Sequence, residues 1–350
     1  MASSARGRRR APKRRRRNSP GRVLVLVLVS TVLVAGTGAA IGYASHLFAK
    51  HQGTANAEAA SPAGEPTADS GQATSSAAAK SPAPSTGSAP ARSHPPIPKA
   101  SGPGTVTTLN VASADSDLTN RPVVVYRPAV PPGTVLPVVY LLHGVPGEPD
   151  RMMEAVKDTL DKAFTSGSEA PFVVAAPTGG GNAHDDTEWA DAADGKDMVE
   201  TYLVKDVIPA VEGPEPLPAG MRAVVGFSMG GYGAANLALR HPDLFGQFAS
   251  LAGYFHVDDP AGMFGADSKL VAANTPDALV KQAAGKRVLL LEDQDEPDPL
   301  INGEAEEFAK RLHDCACDVD LNWHLEPGGH SYDFVTDSFP TVIGFLDQGF

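Results

Sequence analysis

Two cysteines in 350 residues are too few for a fold held by a disulfide framework. Acidic residues are absent from 1–52, which carry 11 Lys/Arg and so a charge of +11. Aromatic residues are absent from 53–103, where three basic and three acidic residues cancel. Basic residues are scarce in 104–350, with 15 against 38 acidic, or −23. A body of that sign offers no cationic face, which excludes nucleic-acid binding. The net −12 of the whole chain describes none of the three regions. No internal repeat is present. His184-Asp185-Asp186 has no second ligand cluster at metal spacing, and Cys315-x-Cys317 has no zinc partners, so neither metal nor cofactor is expected. The two cysteines read as ordinary thiols or as one strained bridge.

The head has the pattern of a membrane address. No charged residue occurs between Arg22 and Lys50, and the stretch opens Val-Leu-Val-Leu-Val-Leu-Val and stays apolar through Ala40. A bilayer needs about 20 apolar residues, and only a helix satisfies its backbone there. The basic flank should stay inside, placing the rest of the chain outside. The expected layout is a basic cytoplasmic tail at 1–22, a transmembrane signal-anchor at 23–48 and a linker at 49–103. A cleaved signal peptide is the competing reading, with Ala39 and Ala44 in small-residue settings. Of residues 53–103, 41 of 51 are Ala, Pro, Ser, Thr or Gly, and Ile97 is the only large aliphatic, so no core can form and a disordered tether is expected. As a coil it would span roughly 40 Å.

From residue 104 the pattern changes. Short apolar runs at Val138–Leu142, Phe172–Ala176, Ala223–Phe227, Phe248–Ala252 and Val288–Glu292 suit buried strands. Thr105–Val111 and Val123–Tyr126 read as leading antiparallel strands. Helical stretches fall at Met198–Val211, Gly231–Arg240, Glu304–Leu312 and Phe339–Leu346, with Pro340 tolerable in a first turn. Strands alternating with helices predict an α/β domain over 104–350, with a mostly parallel sheet covered on both faces. The stretches 145–200 and 253–285 show no decodable pattern.

Gly226-Phe227-Ser228-Met229-Gly230 has the form G-x-S-x-G, between a strand and the helix-like Gly231-Tyr232-Gly233-Ala234-Ala235. In that context it is a nucleophile elbow, with Ser228 as the nucleophile and small flanking residues where strand and helix approach. A serine hydroxyl needs a base. His330, Gly-flanked and beyond the last apolar stretch, is the candidate, in preference to His143, His184, His241, His256, His313 and His324. The acid should follow Val288–Leu291, where Glu292, Asp293, Asp295, Glu296 and Asp298 crowd eight positions. Asp298 has the reach to orient His330, with Asp295 and Glu292 as alternatives. The oxyanion donors should be the N–H groups of Met229 and Val145, since Pro146 has none.

Tyr140-Leu141-Leu142-His143-Gly144, Gly226 through Gly231 and Pro327-Gly328-Gly329-His330 together resemble the esterase family of α/β-hydrolases that includes esterase D (S-formylglutathione hydrolase), enterochelin-esterase-like proteins and secreted mycolyltransferases. The resemblance covers about residues 105–350 and implies the α/β-hydrolase fold. Trp189 and Glu200-Thr201-Tyr202-Leu203 look like the family's segment before the nucleophile strand. Gln294 through Leu300 looks like its Gly-x-x-Asp acid loop, which aligns Asp298 with the acid and puts Asp295 where Gly is usual. By the same resemblance Val145 and Met229 match the oxyanion donors, and His143 stands where the mycolyltransferases have a sugar-contacting Asp.

These readings predict an exported, membrane-tethered serine esterase acting on a small-molecule or lipid ester through Ser228, His330 and Asp298. One alternative passes the acyl group to a sugar or lipid hydroxyl. Another is a non-catalytic binding module on a hydrolase fold, against which an intact serine, histidine and elbow argue.

Overall fold

The structure is a computed structural model of the chain, and it describes residues 97–350 except 114, 115, 119, 185 and 258–261. The tail 1–22, the apolar span 23–48 and nearly all of the linker lie outside the described residues. Among the described residues no helix is long and apolar enough to cross a membrane.

Eight strands form one sheet: β1 Thr105–Val111, β2 Arg121–Arg127, β3 Val138–Leu142, β4 Val173–Pro177, β5 Arg222–Phe227, β6 Gln247–Leu251, β7 Arg287–Asp293 and β8 Asp320–Glu326. Their order is β1-β2-β4-β3-β5-β6-β7-β8. β1, β2 and β4 pair antiparallel, and every later pairing is parallel. All the apolar runs read as strands are strands, within two residues at either end. They are uninterrupted because both faces are covered. Val138, Tyr140 and Leu142 of β3 enter one core with Val224 and Leu290, while Val139 and Leu141 enter the other with Val225 and Leu291. This is the period-two alternation of a strand between two layers.

One covering layer contains α1 (Pro149–Ser166) and α6 (Tyr332–Gly349). The other holds the helical run 199–212, called α2, with α3 (Met229–Arg240) and α5 (Glu304–Asp314); the short α4 is Ser268–Ala273. α1 lies within 145–200, a stretch without a decodable pattern as a whole. Its buried stripe is Met152, Met153, Val156, Leu160 and Phe164, Pro149 opens it, and Gly167 at φ 78° closes it with its N–H on Ala163. α2 is interrupted by a π-helical segment, Tyr202–Val207. α6 starts seven residues earlier than predicted, because the Ser331 hydroxyl accepts from Phe334 N at 3.4 Å, and Pro340 therefore sits inside the helix rather than in its first turn. Residues assigned to the linker dock on the domain: Ala100 is buried, its N–H bonds Phe164 O at 3.0 Å, and Ser101 N–H bonds Ala129 O at 2.8 Å. Cys315 and Cys317 are joined by a disulfide at the end of α5, with Ala316 between them at φ 54°.

At the N-terminal end of β5 a charged pair is buried. Arg222 Nε and Nη2 donate to Glu212 at 2.7 and 2.8 Å, and the guanidinium also bonds Leu244 O and Leu217 O. Tyr140 Oη–H and Leu217 N–H complete the carboxylate at 2.9 and 3.1 Å. Breaking such a pair on one side leaves an uncompensated buried charge. Glu212→Ala should lower the unfolding free energy by about 3–5 kcal/mol, read from denaturant midpoints.

Candidate active site

The strand order reverses between β3 and β5: the chain passes from β3 outward to β4, then returns to the other side of β3. Open α/β sheets form a crevice at the carboxyl ends of such neighbours. The loops after β3, β5, β7 and β8 carry the candidate residues.

Ser228 lies between β5 and α3 at φ 57°, ψ −124°. A non-glycine residue is costly there, and the surroundings enforce it. A Cβ on Gly226 would strike the Gly230 backbone, and one on Gly230 would strike Leu142 O and lie 2.8 Å from His143 O. The elbow thus closes only with glycine at both positions. The hydroxyl of Ser228 donates to His330 Nε2 at 2.9 Å. His330 is held by the Phe227 ring at 4.8 Å between centroids.

Behind His330 stands Glu296, whose carboxylate accepts from Nδ1 at 2.5 Å. None of the three expected acids occupies this place. Asp298 is exposed, and its carboxylate caps its own turn by accepting from Leu300 N at 2.9 Å. Its backbone N–H instead steadies the other oxygen of Glu296 at 2.9 Å. Asp295 is exposed, and Glu292 turns away to accept from Gly303 N at the start of α5. The reason is geometric. β7 runs to Asp293, one residue beyond the predicted end, and a turn closed by Glu296 N–H on Asp293 O at 3.3 Å brings the Glu296 carboxylate to His330. From Pro297 the chain turns outward. Five carboxylates in eight positions carry no compositional signal that separates them.

Gly144 abuts Ser228: a Cβ there would lie 2.9 Å from Ser228 Cβ. Val145 follows it and is 39% exposed, while Met229 opens α3, so both expected oxyanion donors are on segments flanking Ser228. His143 fixes this loop. It is 2% exposed; Nε2 accepts from Gly179 N at 2.9 Å, and Nδ1–H donates to Gly144 O at 2.7 Å. Only the neutral ring makes both bonds. Burial and the Arg121 guanidinium hold its pKa below the ordinary value, against the Gly144 hydrogen bond. Trp189 Nε1–H bonds His143 O at 3.0 Å. Further out, burial would raise Asp197, but the N–H groups of Asn182, Ala183 and His184 hold its carboxyl below the usual range and order the loop after β4. Glu200 binds Arg240 and His241 at the end of α3. These explain Trp189 and Glu200 as scaffold around the crevice.

A parallel sheet whose switch-point elbow presents a serine to a histidine, itself backed by a carboxylate, defines an α/β-hydrolase. Residues 118–303, over half of the chain, match the family described as "Putative esterase", and the chain belongs to that family. The family and the hydrolase-fold neighbours support an enzyme with hydrolase or acyltransferase activity. The MPT51/MPB51 antigen of Mycobacterium tuberculosis is 32% identical over 118 residues, which cover 34% of this chain and 38% of that protein. A ferulic acid esterase structure superposes with TM-score 0.62 at 22% identity, over 71% of this chain and 100% of that one. An S-formylglutathione hydrolase from Agrobacterium tumefaciens gives TM-score 0.56 at 20% identity, over 70% and 95%. The M. tuberculosis MPT51 structure gives 0.55 at 20%, over 70% and 98%. At these identities the structures share the fold.

Glu296→Gln should cut kcat for ester turnover by about 10⁴-fold, in line with loss of the carboxylate behind a catalytic imidazole. Asp298→Asn, Asp295→Asn and Glu292→Gln should each stay within a few-fold of wild type in the same assay. His143 makes a separate prediction. Its folded-state pKa is below the unfolded 6.5, so the unfolded chain binds more protons just below that pH and stability falls on acidification. The Tm of the wild type should therefore drop more between pH 7 and pH 5 than that of His143→Gln, by differential scanning calorimetry.

Proposed function

We propose that the protein is an exported serine esterase whose chemistry is carried by Ser228, His330 and Glu296. The observation behind this reading is the unbroken chain of hydrogen bonds from Ser228 Oγ through both ring nitrogens of His330 to Glu296. His330 takes the hydroxyl proton as Oγ attacks the ester carbonyl. Glu296 holds the ring in the tautomer with Nε2 free and stabilises the imidazolium that forms. The imidazolium then protonates the leaving alkoxide, leaving an acyl-serine that water cleaves by the same steps in reverse. The N–H of Met229, at the positive end of α3, and that of Val145 stabilise the oxyanion.

Hydrolysis is favoured over transfer to a sugar by His143. It stands where the resemblance puts a sugar-contacting Asp, yet both its ring nitrogens are bonded within the protein. No polar atom of that side chain is left for an acceptor hydroxyl. The charge pattern supports the location: ten Lys/Arg and no acidic residue in 1–22, ahead of the apolar span 23–48, favour keeping 1–22 inside the cell and the esterase domain outside, on its linker.

Both parts of the reading meet one test. A membrane-impermeant fluorophosphonate applied to intact cells expressing the full chain should label the wild type and leave Ser228→Ala unlabelled. No labelling of purified wild type would reject the serine enzyme, and labelling only after lysis would reject the outward placement. With a p-nitrophenyl ester, added sugars should leave the yield of free acid unchanged; diversion of the acyl group to sugar would support a transferase.

A further inference from the structure

The acid loop contains a second buried carboxylate that the Ser228–His330–Glu296 relay does not use. Asp293, the last residue of β7, is 1% exposed. Its Oδ1 accepts from Asp295 N and from Gly329 N, both at 3.1 Å. Its Oδ2 is buried and has no hydrogen-bond partner among the described residues. Its carbonyl accepts from Glu296 N at 3.3 Å. One residue therefore holds the two halves of the relay: Gly329, next to His330, and Glu296.

The Gly329 contact matters because it ties the turn before His330 to the sheet, whereas the bond from Ser331 Oγ to Gly328 O at 3.3 Å is local to the loop. Gly328 and Gly329 stand at φ 149° and 70°, conformations open chiefly to glycine, and neither has a side chain to pack. The bond from Gly329 N to a carboxylate rooted in the sheet supplies the missing constraint. The other charged groups near this corner are committed elsewhere or fixed in role. Glu292 turns to Gly303, Glu326 lies beside Asp293 in register on β8, and Glu296 bonds Nδ1 itself. Phe227 and Tyr332 bring no charge to the ring.

We propose that Asp293 is a positioning residue for His330, fixing its loop through Gly329 and adding a second negative charge that favours the imidazolium formed during turnover. The inference rests on the Ser228–His330–Glu296 reading. A pure turn-anchoring role would alter stability alone, whereas a charge role would also show in the pH profile of turnover.

Asp293→Asn keeps the acceptor oxygen and removes the charge. The midpoint of the acid limb of kcat/KM for a p-nitrophenyl ester should move down by about one pH unit, with kcat about tenfold lower and KM within twofold. Asp293→Glu, which restores the charge, should return the limb to its wild-type position. An unmoved limb in a folded Asp293→Asn, with Ser228 still labelled by fluorophosphonate, overturns the proposal alone. Loss of labelling in the wild type overturns the triad reading with it. If neither variant accumulates as folded protein, the carboxylate is a structural anchor and the proposal fails.

Discussion

Ser228 is held at φ 57°, ψ −124° because two backbones, those of β5 and α3, meet with only glycines between them. That close approach is the constraint on which the site is built. It lifts the hydroxyl out of the succeeding helix, sets Met229 at the first free amide of α3, and brings the loop after β3 alongside. Gly144 and Gly230 are there because neighbouring backbone and Ser228 leave no room for a side chain. His143 and Trp189 then hold that loop from behind, with the histidine ring locked neutral by its two bonds. The site is therefore preorganised by sterics on one side and by buried polar groups on the other, before any substrate binds.

Much of this is legible in the residues. Uninterrupted apolar runs such as Val138–Leu142 betray strands covered on both faces, and the G-x-S-x-G pentapeptide carries its own steric signature. A histidine between a glycine pair and a capping serine is also readable as a loop residue with reach. The acid is not. Which of five carboxylates meets His330 depends on where β7 stops and on the turn that follows, in which Glu296 N–H bonds Asp293 O. Position three after Asp293 is inward; position five, at Asp298, is already on the outward turn. The resemblance points to Asp298 in this loop, while the carboxylate that meets His330 Nδ1 is that of Glu296, two residues earlier. α1 shows a different failure. Its stripe Met152, Val156, Leu160, Phe164 has plain helical spacing, but the irregular stretch after β4 masks it when 145–200 is read as one block. The end of the linker falls earlier than composition indicates, because Ala, Ser and Gly near residue 100 dock through backbone bonds, which composition does not register.

The polar interior divides by depth along the strands. At the amino ends lies the Arg222–Glu212 pair, closed on every side and devoted to stability. At the carboxyl ends lie His143, Asp293, Glu296 and Ser228, where bonds are directional and some lone pairs stay unused. Function thus occupies the end of the sheet where chain reversals leave polar groups only partly satisfied, while the opposite end bears the structural load.

The docking of residues 100–104 has a mechanical consequence. Ala100 bonds to the last turn of α1, Ser101 to Ala129 in the loop after β2, and Gly104 N–H to Asp161 of α1 at 2.7 Å, all ahead of the edge strand β1. A pull arriving along the chain from its N-terminal side meets these bonds first and passes into α1, which packs against α6 and the sheet. β1, which would otherwise be peeled from β2 one pair at a time, is shielded from that force. The segment just before the first strand thus acts as strain relief for the sheet edge, taking up on α1 a load that would otherwise open the β1–β2 pairing.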